Sequence, residues 1–164
     1  MNYSFYRYWQ LFLVFVTLFV LAASFYFQLV KDLTPCPLCL MQRFSVMALL
    51  AFTMMSWFWG VSRGGKYIAG LIIAFAAAGF YFAARQIWLQ SLPPEQTPAC
   101  LPGLDVLIRY FPWQDVVHAL FLGAGDCAEI TWTWLGLSMP AWSALYFLGM
   151  IAAGVINWLV LSKR

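Results

Sequence analysis

The chain has 164 residues, of which 64% are apolar, 20% aromatic and only 9% charged, with a formal net charge of +3. A mean hydropathy of +0.80 excludes a water-soluble domain, and the length excludes several domains. What remains is one integral membrane domain over residues 1–164, with no nucleic-acid partner expected.

Spans are read against the about 20 apolar residues that cross a bilayer. The first is expected at about 8–30. Ala22, Ala23 and Ser24 near its end suggest signal cleavage, but the run exceeds the about 7–15 residues of a signal core, and the chain soon re-enters the membrane. It is read as a retained helix. A short loop at about 31–39 carries Cys36 and Cys39, and a second span follows at about 40–60. A Gly-rich, basic connection leads to the third span, about 67–90. The loop at about 92–139 opens with Pro93, Pro94 and Pro98, which predict an extended arm carrying Cys100. Farther on, Trp113, Val116, Val117, Leu120 and Phe121 recur at helical spacing with Gln114, Asp115 and His118 between them. That pattern predicts an amphipathic helix lying on the membrane, which would hold the following Cys127 near the bilayer; packing against the loop itself is the alternative. His118, on its polar face, is read as solvated. Pro140 marks the start of the last span, about 141–161, since proline suits a first helical turn. The fold class is therefore an all-α membrane protein, a four-transmembrane-helix bundle with a long outer loop containing a short membrane-parallel helix.

Charge orients it. Arg7, Arg63, Lys66, Lys163 and Arg164 share one side of a four-span chain, whereas all six acids fall on the other. Basic residues stay cytoplasmic, so both termini are predicted inside. All four cysteines then lie outside, a distribution that reads as disulfide chemistry in an oxidising compartment.

The run T-P-C-P-L-C-L-M-Q-R at 34–43 concentrates the chemistry. Zinc would need about four N or S ligands, and there is no second C-x-x-C and one histidine only, so no metal is expected. As a structural staple the pair closes a very small loop, which removes little unfolded-state entropy; as a redox couple it is well made. Pro35 and Pro37 put it at a helix amino terminus, where the dipole favours a thiolate. Arg43 lies four residues after Cys39, about 6 Å deeper at 1.5 Å per residue, and can share a face with both sulfurs. Such an arginine costs roughly 2–3 kcal/mol in the membrane unless it snorkels to headgroups or meets an anion. A thiolate or the reduced head of a lipid-borne quinone would serve. Arg85, followed by Gln86, Trp88 and Gln90, offers a second cation at similar depth or an interfacial anchor; both readings stand.

P-C-P-L-C-L-M-Q-R at 35–43, A-R-Q-I-W-L-Q at 84–90, G-D-C-A-E at 125–129 and W-L-G-L-S-M-P-A-W-S at 134–143, in that order, resemble the DsbB family of membrane thiol oxidases over nearly the whole chain. The resemblance implies a quinone-dependent disulfide-generating oxidoreductase, monomeric, in the inner membrane of a Gram-negative bacterium, with its cysteines facing the periplasm. Electrons would come from a periplasmic dithiol protein similar to DsbA and leave to ubiquinone or menaquinone. By the same resemblance Cys100 forms the mixed disulfide with the partner and Cys127 is its loop partner. Cys36 takes up the electrons through a transient bridge to Cys127, Cys39 faces the quinone, and Arg43 supports it, with Arg85 as a further cofactor-binding candidate. Some family members carry an acid where Gln42 stands and a histidine near Gln86, which leaves the roles of these two positions open. Vitamin K epoxide reductase-like proteins also join a membrane C-x-x-C to loop cysteines, but late in the chain. A non-enzymatic scaffold would not require Arg43 beneath the pair.

Overall fold

The computed structural model describes residues 3–31, 36–59, 64–98, 104–130 and 132–163. In chain order it comprises α1 (Tyr3–Val30), α2 (Pro37–Trp59), α3 (Gly65–Gln90), the short α4 (Leu104–Tyr110) and α5 (Trp113–Leu122), strands β1 (Thr133–Trp134) and β2 (Leu137–Ser138), and α6 (Met139–Ser162). Helices α1, α2, α3 and α6 are each long and apolar enough to cross a bilayer. The protein is an all-α, four-span membrane bundle, as its composition requires: in hydrocarbon a backbone must satisfy its own hydrogen bonds, and a helix does so within one segment.

Cross-helix contacts establish an antiparallel arrangement. Tyr6 Oη meets Ser56 Oγ at 2.8 Å at one end of the α1–α2 pair, and Arg43 donates to Ser24 at the other. Phe52 packs on Phe75 across α2 and α3, with ring centroids 5.3 Å apart. The α3–α6 interface is the most extensive, and small residues bring it close. A Cβ on Gly79 would overlap the Phe147 ring, and one on Gly154 would lie 2.7 Å from Ile73 Cγ1. Leu49, Ile72, Ala76 and Phe147 are fully buried at the centre. Helix α1 is held more lightly, through α2 and through Tyr146, whose hydroxyl donates to Thr17 at 3.0 Å. Its Phe5, Tyr8, Phe12, Phe15 and Phe19 form an exposed aromatic stripe suited to lipid.

Both described ends of the chain thus share one end of the bundle. There Arg7 sits over Trp57 and Lys66 over Tyr67, cation–ring pairs of the kind that anchor a helix at the interface.

The other end carries the connection between α3 and α6. Its last part is a tight hairpin, Thr133 paired with Ser138 and Trp134 with Leu137. Leu135 and Gly136 both have positive φ (52° and 78°), the geometry that matches a two-residue turn to strand twist. The Trp142 indole N–H donates to the Trp134 carbonyl at 3.2 Å, fixing this hairpin to the first turns of α6. Pro140 stands in the first turn of α6.

Candidate functional site

Cys36 occupies the capping position of α2. Its carbonyl accepts from Leu40 N–H at 3.1 Å, and its sulfur accepts from Cys39 N–H at 3.3 Å, as a serine or aspartate oxygen would at a helix start. Pro37, with no N–H to satisfy, stands at the first helical position. The cap brings the two sulfurs to 2.7 Å from each other. Cys36 is buried and Cys39 half-buried.

A third cysteine reaches them from far along the chain. Residues Gly125–Ala128 form one 3-10 turn, closed by Cys127 N–H to the Ala124 carbonyl at 3.0 Å. This turn seats Cys127, fully buried, among Cys36, Leu38, Phe82 and Leu89 and within hydrogen-bond reach of Cys36. Gly123 makes the approach possible: its φ is 82°, and a Cβ there would lie 2.7 Å from Leu89 Cδ1 and 2.8 Å from Leu38 Cδ1. Helix α3 holds both sides of the segment, Arg85 Nε donating to the Leu122 carbonyl at 3.1 Å and Gln90 to the Glu129 carbonyl at 3.5 Å.

Helix α5 packs with Val116 and Ala119 inward and leaves Trp113, Val117 and Phe121 exposed. The apolar stripe read from the sequence is therefore divided. One edge faces protein, and the rest is free for lipid. His118 is exposed beside it.

The sulfurs are electrostatically unequal. Cys127 ionises below the ordinary cysteine range, first because of its hydrogen bond with Cys36 and further because of backbone hydrogen bonds at Leu38 and Ala124, with burial opposing. Cys36 is pushed up by its hydrogen bonds to Cys127 and Cys39 and by burial.

Arg43 turns toward α1. Its guanidinium donates to Ser24 Oγ at 3.0 Å, to the Ser24 carbonyl at 3.1 Å and to Gln28 Oε1, and it stacks over Phe25 at 4.6 Å. All these partners are neutral. Sequence spacing alone suggested a face shared with the sulfurs; the hydrogen bonds go instead to the neighbouring helix. Facing the sulfurs is the buried amide of Gln86, which accepts from a second buried amide, Gln42, at 2.8 Å. Arg85 is engaged with Leu122 and lies over Trp88 at 4.2 Å, an anchoring geometry. Cys100 lies outside the described residues, as does Pro35. Among the described residues no cluster of His, Cys, Asp or Glu could hold a metal.

A C-x-x-C pair capping a membrane-spanning helix, with a loop cysteine buried against it, defines a membrane protein of thiol–disulfide chemistry. Residues 6–157 match the family described as "Disulfide bond formation protein DsbB". Two relatives named "Disulfide bond formation protein B" show the same likeness. That of Marinobacter nauticus is 42% identical over 137 residues, covering 83% of this chain and 82% of the relative. That of Methylococcus capsulatus is 44% identical over 140 residues, 85% of each. The chain belongs to the DsbB family. It is a multi-pass inner-membrane thiol oxidoreductase of disulfide bond formation.

Proposed function

We propose that the protein reoxidises a periplasmic dithiol protein of the DsbA kind and delivers the electrons to a membrane quinone, ubiquinone or menaquinone. The observation that carries this reading is the placement of Cys127, buried against Cys36 while Cys36 also touches Cys39. Three neighbouring sulfurs, with Cys36 touching both others, are what an internal disulfide exchange needs.

In the proposed sequence a partner thiolate attacks Cys100 of a Cys100–Cys127 disulfide and releases Cys127 as thiolate. Cys127 attacks Cys36 of a Cys36–Cys39 disulfide and releases Cys39. The partner's second thiol then attacks its own mixed-disulfide sulfur and frees Cys100. The Cys100 thiolate attacks Cys127, restores the loop disulfide and leaves Cys36 and Cys39 reduced. One disulfide has formed in the partner and one has been lost here, so the electron pair is conserved. The readier ionisation of Cys127 suits it to attack, and the contact of Cys36 with both other sulfurs suits it to be attacked.

Arg43 fits the head of such an acceptor. Among the described residues its N–H groups hydrogen-bond only neutral acceptors, it is half-buried, and Cys39 beside it is partly exposed. Arg43, with Cys39, would hold the quinone; when bound, a quinone supplies the two-electron, two-proton acceptor that returns Cys36 and Cys39 to a disulfide. Cysteine placement on the periplasmic side and a monomeric state belong to the same proposal, the former resting on the basic residues at the opposite end.

The test mixes the purified protein with a reduced periplasmic dithiol protein and a short-chain quinone and follows quinone absorbance. Quinone is consumed with the wild type and not with Cys39→Ala. Equal, negligible consumption by both sinks the proposal. Cys36→Ala is expected to trap a mixed disulfide between Cys100 and the partner; trapping through Cys127 alone would overturn the assignment of roles.

A further inference from the structure

We infer that Gln86 is the hydrogen-bond donor that steadies Cys39 as a thiolate, and that Gln42 is the positioning residue that keeps the Gln86 amide turned to do so. This deepens the proposal above, since it rests on Cys39 being the sulfur released in the exchange.

Both amides are buried, Gln42 6% and Gln86 5% exposed, in a membrane protein where an idle amide is costly. Neither is idle. Gln42 Nε2 donates to Gln86 Oε1 at 2.8 Å, so the Gln86 oxygen is occupied and its Nε2 is left pointing at the sulfurs, 3.4 Å from Cys39 Sγ and 3.5 Å from Cys36 Sγ. An amide can flip its ends, and Gln42, presenting its Nε2 to the Gln86 oxygen, holds the orientation that turns the Gln86 Nε2 to the sulfurs. Cys39 Sγ also lies 3.6 Å from Gln86 Oε1, so the same group can accept from the thiol and donate to the thiolate with little movement. Arg43 is committed to α1, which leaves Gln86 as the side chain that meets both sulfurs directly. No carboxylate or histidine appears among the side chains that bond either sulfur in the described residues, so a neutral donor does this work here.

The test follows modification of Cys39 by N-ethylmaleimide, resolved by peptide mass spectrometry, on the fully reduced, full-length protein in phospholipid nanodiscs without quinone or partner. Gln86→Leu is expected to slow Cys39 about tenfold near pH 7, the scale of a lost hydrogen bond to a charged group. The difference should vanish at about pH 10, where thiols ionise without help. Gln42→Leu slows it less, about threefold, and the double variant is no slower than Gln86→Leu alone, because Gln42 acts through Gln86. Gln86→Met keeps the length but removes the donor and should be at least as slow as Gln86→Leu, which covers a folding failure of the latter. Unchanged rates in both Gln86 variants overturn the inference. So does slowing that persists at high pH, which means altered packing, or full additivity with Gln42→Leu. Alkylation needs no acceptor, so wild type that fails to consume quinone but shows these shifts defeats the proposed function alone. Normal turnover with unshifted alkylation in the Gln86 variants defeats only this inference.

Discussion

Two polar groups stand at opposite ends of one helix bundle, and they are built on different terms. At the cysteine end, Gln42, Gln86, Arg43, Ser24 and Gln28 are joined into hydrogen-bonded sets in which each side chain has a partner. At the end carrying the termini, Tyr6 and Ser56 bond each other and Gln10 lies within reach of the Tyr6 hydroxyl, but the amide of Asn157 is fully buried with no hydrogen-bond partner among the described residues. A polar group in hydrocarbon stabilises a bundle only when it is paired, and left unpaired it costs about 1–3 kcal/mol. The first group therefore positions chemistry at little energetic cost, whereas the second weakens the fold it sits in.

The largest expected effect breaks the first group. Arg43→Ala removes the fork that ties α2 to Ser24 and Gln28 and should reduce quinone consumption by at least about tenfold, with helical circular dichroism retained and thermal stability lowered. An unfolded variant would make Arg43 a structural arginine instead. A stabilising change is expected at the other end. Asn157→Leu, close in shape, replaces an unpaired amide and should raise unfolding stability by roughly 1–3 kcal/mol in a detergent titration, with disulfide transfer unchanged. Stability that falls would mean that the amide has a partner after all. Smallest is Ser56→Ala, which removes the hydroxyl that pairs with Tyr6 and should lower stability by about 0.6–2 kcal/mol. Together the last two ask whether pairing, rather than polarity, distinguishes the two ends.

Much of the architecture was legible in the chain. Long apolar runs, Pro140 before the last of them and the one-sided basic residues are local signals, and local signals survive in sequence. The hairpin at Thr133–Trp134 and Leu137–Ser138 was missed, since strands of two residues leave no period to count; the W-L-G turn, with positive φ at Leu135 and Gly136, was its one trace. The amphipathic stripe of α5 was visible, but which edge of it faced protein was not, because Val116 and Val117 look alike until Ala119 is packed.

The site divides in the same way. The sequence by itself determined that Cys36 and Cys39 sit together at a helix start, because three residues of spacing and flanking prolines are covalent facts that no packing can undo. Only the tertiary structure decided which groups meet them. Gln86 lies forty-seven residues from Cys39 and becomes its neighbour through the α2–α3 interface. Cys127 reaches Cys36 because Gly123 admits a close approach to Leu38 and Leu89. Arg43 chose α1 over the sulfurs because Ser24 and Gln28 offer its planar fork three acceptors at once, and a guanidinium in a membrane goes where its N–H groups are met.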